Sequence, residues 1–257
     1  MLGTKYLIVE VLKCDGCGLI FIWPQEEPGA RDRYYQMEYA SPMVTDLPTR
    51  SELSSLIESG FDKPGLDLSK KIQFLKTLRP SGRILDFGCS WGYGTYQMQV
   101  AGFDAVGFEI SKPRARFGRE KLHLRIVDDL DALRGPEEEQ QFDIIFSNHV
   151  LEHMSDLHRA LELFSHLLRN GGIMLHFLPN LAEMAGSSDD PWRGLHRAHP
   201  VAPTRQFFEK NLPKYGFRVM ATGPVTQASD AQPWLSRTNS NVATQSEKEF
   251  LVVASRI

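Results

Sequence analysis

Residues 84–94 read ILDFGCSWGYG. The apolar start of this segment predicts a buried strand, and the residues after Gly92 predict a helix. Gly88 lets the chain turn tightly and pass close to a ligand, and ligands of open parallel sheets bind beyond the carboxyl ends of the strands. Asp86, at the end of the strand, can accept hydrogen bonds from an amino group, and the first N–H groups of the helix can bind a carboxylate. The segment therefore predicts a ligand site at a strand–turn–helix junction.

The glycine spacing in this turn distinguishes two classes of cofactor. A dinucleotide site needs G-x-G-x-x-G, because the pyrophosphate lies against bare backbone. Counted from Gly88, Ser90 and Tyr93 occupy the second and third glycine positions, so this template fails twice. The pattern that remains, Asp-x-Gly-x-x-x-Gly, resembles the first motif of class I S-adenosylmethionine-dependent methyltransferases. This resemblance implies that Gly88, Cys89 and Gly92 border the cofactor.

Short apolar runs alternate with helical patterns from residue 83 onward, which predicts an α/β fold with a doubly wound, mostly parallel sheet. The predicted strands are Arg83–Phe87, Ala105–Glu109, Leu124–Val127, Phe142–Ser147, Ile173–Phe177, Phe217–Thr222 and Glu249–Ser255. The predicted helices are Leu68–Leu78, Gly92–Ala101, Pro113–Glu120, Leu157–Leu168 and Thr204–Tyr215. The resemblance implies a Rossmann-like sheet of seven strands, of which the last is antiparallel.

Acidic residues follow the second and third predicted strands. Glu109 lies at the end of the second strand, where a carboxylate can accept hydrogen bonds from both hydroxyls of a ribose. The resemblance implies that Asp128, after the third strand, meets the adenine amino group. Because S-adenosylmethionine and NAD both carry ribose, an NAD-dependent oxidoreductase remains the alternative function.

The segments around the fourth and fifth strands extend the resemblance. Residues 142–154 read FDIIFSNHVLEHM and residues 167–172 read LLRNGG. They are similar to the FD–apolar–apolar…LEH and LL-x-x-GG segments of the same methyltransferases, so the resemblance covers roughly residues 83–180. It implies that Ser147, Asn148 and His149 border the methionine end of the cofactor.

Two short patterns raise the question of a bound metal. His149, Glu152 and His153 lie at i, i+3 and i+4, which would share one face of a helix, and H-x-x-E-H also occurs in zinc peptidases. Small-RNA 3′-end methyltransferases, which hold a metal there, resemble this stretch too. A buried Glu–His pair is the favoured interpretation, since Leu-Glu-His is common in methyltransferases without metal. Cys14 and Cys17 resemble one knuckle of a zinc ribbon, but a closed site needs four ligands, so we expect no metal.

Candidate catalytic residues follow from the needs of methyl transfer. The enzyme must align donor and acceptor, and a base is required only where the acceptor is protonated. His199, in an irregular loop after the fifth strand, matches a His of related sequences and is the first candidate base for a hydroxyl acceptor. His149 is the second. We expect a small-molecule acceptor, such as a sugar or a secondary metabolite, and a cofactor-binding module without activity is a further alternative.

The chain divides by composition near residue 67. Residues 1–67 are expected to form an N-terminal extension with a degenerate zinc-ribbon-like hairpin, from strands Tyr6–Leu12 and Gly18–Trp23, and a lid. Residues 31–39 predict a short helix, in which Tyr34, Tyr35 and Tyr39 either cover the site or pack a small core. Residues 41–67 predict a linker or a lid. Residues 68–257 are expected to form the catalytic domain.

The composition is that of an ordinary globular protein. The 257 residues carry a formal net charge of -3, which does not favour nucleic acid as a partner. Three cysteines do not suggest a disulfide framework. We see no secretory signal pattern and no apolar run near the roughly 20 residues of a membrane span. These features predict a cytoplasmic protein without membrane contact, and they predict no particular oligomeric state.

Overall fold

The computed structural model describes residues 9–26, 46–186, 194–196, 198–225 and 249–257. The strands are β1 (Glu10–Lys13), β2 (Ile20–Trp23), β3 (Arg83–Phe87), β4 (Asp104–Phe108), β5 (Ile126–Val127), β6 (Phe142–Asn148), β7 (Leu168–Pro179), β8 (Val201–Ala202), β9 (Phe217–Val225) and β10 (Glu249–Arg256). The helices are α1 (Arg50–Glu58), α2 (Ser69–Leu78), α3 (Tyr93–Val100), α4 (Lys112–Lys121), α5 (Leu157–Leu167), α6 (Leu181–Gly186) and α7 (Arg205–Asn211). Short 3-10 helices cover residues 132–134, 136–138, 151–153 and 212–215.

Seven strands form the main sheet in the order β5-β4-β3-β6-β7-β10-β9. The strands from β5 to β7 pair in parallel, whereas β10 is antiparallel to both of its neighbours. The predicted fold class, including the antiparallel last strand, is therefore confirmed. Because parallel strands share a direction, the ends of β3, β4 and β6 meet at one edge of the sheet, and this edge carries the site.

Helices cover both faces of this sheet. Ile84 and Ile144 belong to the apolar core on one face, while their neighbours Leu85 and Ile145 belong to the core on the other. This division follows from the two-residue repeat of a strand. The helix α5 shows the matching helical repeat, since its buried residues recur every three to four positions. Among the described residues, no helix is long and apolar enough to cross a membrane.

Helix α1 lies in the segment that the sequence predicts to be a linker or a lid. Thr49 and Glu52 form a capping box at its start, in which the Glu52 N–H donates to Thr49 Oγ1 and the Thr49 N–H donates to Glu52 Oε2. Leu53 and Leu56 are buried against the core. A capping signal and an apolar pair thus form a helix in a segment rich in Ser, Pro and Gly, and the role of this segment as a linker or a lid remains a prediction.

A second, smaller sheet has the order β1-β2-β8. The β1–β2 hairpin turns through Cys14 and Cys17, which are both free thiols. Phe21 pairs with Val201, so the hairpin is joined to the chain that leads into α7. The division at residue 67 remains a prediction. Residues 6–8 and the predicted helix 31–39 with Tyr34, Tyr35 and Tyr39 lie outside the described residues.

Candidate active site

The turn between β3 and α3 has a backbone that suits glycine. Gly88 and Gly92 have φ values of 80° and 89°, and Ser90 has a positive φ of 54°. The N–H groups of Gly88 and Cys89 both donate to the Phe108 carbonyl, which holds the turn against the end of β4. A Cβ atom at Gly88 would lie 2.5 Å from Val150 Cγ2. The turn therefore places bare backbone at the sheet edge and packs against the segment that follows β6.

Asp86 lies beneath this turn. Its Oδ2 accepts a hydrogen bond of 2.8 Å from the Thr95 hydroxyl in the first turns of α3, and the side chain is buried. Burial, together with the nearby Glu109, raises the pKa of Asp86 to about 7, against the opposing hydrogen bond from Thr95. This geometry makes Asp86 a link between β3 and α3.

Glu109 follows β4 and faces the turn. Its Oε2 accepts from the Ser90 N–H at 2.9 Å, and its Oε1 accepts from the Ser111 N–H at 2.7 Å. Burial raises its pKa, which these two bonds and the Arg114 guanidinium oppose. A carboxylate has about four lone-pair positions, so each oxygen keeps capacity for one further donor. The carboxylate is thus held in a fixed orientation and could accept hydrogen bonds from two further donors.

The other predicted cofactor residues divide into two groups. Cys89 is buried, and its Sγ lies 2.6 Å from the position of a Cβ added to Gly107. Burial, with Asp86 and Glu109 nearby, raises its pKa well above the ordinary value, so it stays a neutral thiol. Asp128, by contrast, lies at the end of β5 and pairs with Arg119 at 2.9 Å. Its carboxylate already accepts from Arg119, so the amino group of a bound adenine would have to share the carboxylate with that cation.

The end of β6 directs its three predicted residues differently. The Ser147 hydroxyl is buried in the core and bonds His176 Nδ1 at 2.7 Å. Asn148 Oδ1 accepts from Lys71 Nζ at 2.5 Å. His149 has a positive φ of 55° and is partly exposed; this left-handed conformation is several-fold enriched in His relative to most residues. Only Asn148 and His149 therefore present their side chains at the sheet edge.

Two residues that sequence reasoning missed complete this edge. Glu249 Oε1 lies 2.9 Å from His149 Nε2 and 2.5 Å from Lys71 Nζ. Burial alone would raise the pKa of Glu249, but the hydrogen bond with His149 and the Lys71 ammonium lower it to about 2. Glu249 is therefore an ionised carboxylate that orients the His149 ring. Because Lys71 and Glu249 come from α2 and β10, no local motif marks them.

Three potential metal ligands lie beside this network. Glu152, His153 and His199 each offer one ligand atom, and these atoms lie within 4.8 Å of one another. The Glu152 carboxylate is 1% exposed, and burial raises its pKa to about 8, against the opposing influence of its own backbone N–H and of the Lys71 ammonium. The His199 ring stacks edge-on against His153, with 4.7 Å between the ring centroids.

His199 is poorly suited to the role of general base. Burial, reinforced by the neighbouring His196, lowers its pKa to about 4. A base with so low a pKa holds a proton weakly at neutral pH, whereas efficient proton transfer needs a pKa near the working pH. His149, which bonds the ionised Glu249, is the better placed of the two predicted bases.

Comparison with known proteins identifies the family. A methyltransferase domain model matches residues 64–222, more than half of the chain. The chain therefore belongs to the methyltransferase domain family, and the prediction of a class I, S-adenosylmethionine-dependent methyltransferase is confirmed for this domain. The matched range also contains α2, which carries Lys71.

Individual relatives are distant. An uncharacterized methyltransferase of Anoxybacillus flavithermus is 33% identical over 35% of this chain and 43% of its own length. A ubiquinone biosynthesis O-methyltransferase of Sinorhizobium fredii is 26% identical over 68% of this chain and 73% of its own length. The chain thus spans about two fifths of the first relative. A crystal structure of a S-adenosylmethionine-dependent methyltransferase from Mesorhizobium loti is 20% identical, covers 75% of this chain and 100% of its own, and has a TM-score of 0.56.

Proposed function

We propose that the protein transfers the methyl group of S-adenosylmethionine to a hydroxyl oxygen of a small molecule, with His149 as the general base. The observation that carries this proposal is the chain of contacts Lys71–Glu249–His149 at the sheet edge. A hydroxyl must lose its proton on attack, and an imidazole oriented by a partly buried, ionised carboxylate is suited to take it. The O-methyltransferase among the relatives agrees with this chemistry.

The contacts of His149 decide which of its two ring nitrogens carries the hydrogen. Because the ionised Glu249 can only accept, His149 Nε2 carries the hydrogen and donates it at 2.9 Å. Nδ1 then keeps its lone pair and is the atom that takes the acceptor's proton. The acceptor oxygen forms a bond to the methyl carbon, the carbon–sulfur bond breaks, and S-adenosylhomocysteine leaves as a neutral thioether. Glu249 stabilises the imidazolium that forms.

The cofactor would bind along the turn after β3. Gly88, Cys89 and Gly92 would contact it through backbone, Glu109 would accept from the ribose hydroxyls, and Asp128 would approach the adenine. Asn148 would border the methionine end, whereas Asp86 and Ser147 would support the turn and β6 from below. This arrangement is supported by the fixed Glu109 carboxylate, by the place of Asn148 at the sheet edge and by the rule that ligands bind at the carboxyl edge.

The test is methyl transfer from labelled S-adenosylmethionine to a panel of phenols, catechols and sugars. The variant His149→Asn suits the comparison, because Asn tolerates a positive φ. We expect kcat to fall by about 100-fold or more, as removal of a general base does, with unchanged affinity for S-adenosylhomocysteine. The control is His158→Asn, an exposed His that bonds Tyr215. Unchanged turnover in His149→Asn would refute the role of His149, and cofactor binding with no transfer to any hydroxyl would favour a binding module.

A further inference from the structure

Arg114 is a buried cation at a place where a helix disfavours positive charge. It lies in the first turn of α4, and the N–H groups at the start of a helix already carry partial positive charge. The residue is only 4% exposed, and a buried Arg is rare unless its charge is paired. Because the helix itself does not stabilise this guanidinium, contacts outside α4 must offset the cost of placing it there.

The contacts of Arg114 lead to the turn after β3. Its Nη1 donates to Ser90 Oγ at 2.8 Å, and the Ser90 N–H in turn donates to Glu109 Oε2 at 2.9 Å. Its Nη2 also lies 3.9 Å from Asp46 Oδ1, in the segment before α1. Ser90 has a positive φ of 54°, a conformation that few residues other than glycine adopt. The guanidinium thus holds the turn residue that donates to the Glu109 carboxylate.

We propose that Arg114 is a positioning residue for S-adenosylmethionine, which holds the Glu109 carboxylate in place for the ribose hydroxyls through Ser90 and through its own positive charge. The inference rests on the proposed cofactor position, in which Glu109 accepts from those hydroxyls. An ionised carboxylate only accepts, whereas a protonated one carries an O–H donor and loses part of its capacity to accept. Arg114 acts on the cofactor through Glu109 and does not need to touch it.

Titratable groups from three elements lie close to the Glu109 carboxylate. Asp86 is on β3 and Cys89 is in the turn, and Glu109 raises the pKa of both. Arg114 approaches from α4, and its guanidinium and two backbone N–H groups lower the pKa of Glu109 against the larger effect of burial. Of these three neighbours only Arg114 is a cation. Without its charge, Glu109 would keep its proton to a higher pH.

The test measures the affinity of the full chain for S-adenosylhomocysteine by calorimetry, from about pH 6 to about pH 8.5. Arg114→Met removes the charge, and Arg116→Met, at an exposed position of the same helix, is the matched control. We expect Arg114→Met to weaken binding, and the weakening to grow at least about fivefold as the pH falls through this range, because Glu109 gains a proton earlier than in the wild type. Arg114→Lys keeps the charge and should restore the pH profile of the wild type, and Arg116→Met should not change it.

Glu109→Gln separates this proposal from the cofactor position on which it rests. It leaves no carboxylate to titrate at this place, so in that background Arg114→Met should have the same effect at every pH. If Glu109→Gln binds S-adenosylhomocysteine as tightly as the wild type, the cofactor position is wrong and this proposal fails with it. If Glu109→Gln weakens binding but the effect of Arg114→Met is the same at every pH in the wild-type background, only the role of Arg114 is overturned.

Ser90→Gly provides a second route if Arg114→Met does not fold. Glycine suits the positive φ at this position, but it offers no hydroxyl to the guanidinium. We expect Ser90→Gly to weaken S-adenosylhomocysteine binding by about 3- to 10-fold, the value of one ordinary hydrogen bond. Unchanged affinity in this variant would overturn the proposed action of Arg114 through Ser90.

Discussion

Replacement of Gly88 by Ala is expected to damage both stability and cofactor binding. A left-handed conformation costs an L-residue roughly 1–2 kcal/mol, and Gly88 has a φ of 80°. The new Cβ would also lie 2.5 Å and 2.8 Å from the two Cγ atoms of Val150, and overpacking of this kind costs about 1–3 kcal/mol. Together these effects predict a loss of about 2–5 kcal/mol in the free energy of unfolding.

Gly102 offers a matched control for the backbone contribution. Its φ is 94°, and a Cβ there would meet no atom within 4 Å. Gly102→Ala should therefore lose only about 1–2 kcal/mol, and the difference between the two variants measures the contact with Val150. Urea unfolding gives both values, and calorimetry gives the affinity for S-adenosylhomocysteine. We expect that affinity to fall at least tenfold in Gly88→Ala and to stay unchanged in Gly102→Ala.

A second substitution separates a steric effect from other causes. Val150→Ala removes both Cγ atoms. The double variant Gly88→Ala/Val150→Ala should therefore regain the steric part of the lost stability. A double-mutant cycle over the two positions should show a favourable coupling energy of about 1–3 kcal/mol. Equal stability of Gly88→Ala and Gly102→Ala, together with unchanged cofactor affinity, would refute the idea that this turn is a close backbone contact.

Three further substitutions test the buried polar groups. Glu109→Gln should weaken S-adenosylhomocysteine binding about 10- to 100-fold, because a charged acceptor contributes about 1.5–3 kcal/mol. The control Glu120→Gln, at an exposed position, should leave that affinity unchanged, and calorimetry measures the affinity of both variants. Burial lowers the pKa of His176 to about 3, so the unfolded chain binds a proton below pH 6.5 that the folded chain does not. As the pH falls from 6 to 4, this proton should cost the wild type about 1.4 kcal/mol of unfolding free energy per pH unit, and His176→Gln should not show that loss. If urea unfolding gives the wild type and the variant the same pH dependence, the prediction is contradicted. Asp143→Ala should cost about 1–3 kcal/mol, because Asp143 accepts from the Arg83 N–H at 2.8 Å and Ala offers no acceptor. An unchanged urea midpoint would exclude that bond as a stabilising contact.

The parts of the molecule that the sequence predicts well are those with short-range signals. The β3–turn–α3 junction combines an apolar run, a glycine with positive φ and a helical repeat within eleven residues, so each signal supports the next. The positions of Glu109 and Asn148 follow from the ends of their strands. The two-residue strand β8 carries no such signal, because its pairing with β2 is decided by contacts between segments far apart in the chain.

Contacts between distant segments also explain what the sequence does not reveal about the site. Lys71 bonds Glu249 across 178 positions of the chain, and neither residue lies in a recognisable pattern. The roles of Asp86 and Ser147 are equally hidden, since a polar residue at a strand end can face a ligand or a neighbour such as Thr95 or His176. Packing alone decides between these directions.

The direction of β10 connects the fold to the proposed chemistry. In the parallel part of the sheet, each strand delivers its last residues to the carboxyl edge. Because β10 is antiparallel, it delivers its first residue instead, and Glu249 pairs with Pro179 at the end of β7. A parallel strand at this place would put the opposite end of β10, near Arg256, beside His149. The reversed strand is therefore what supplies the ionised carboxylate on which the proposed base depends.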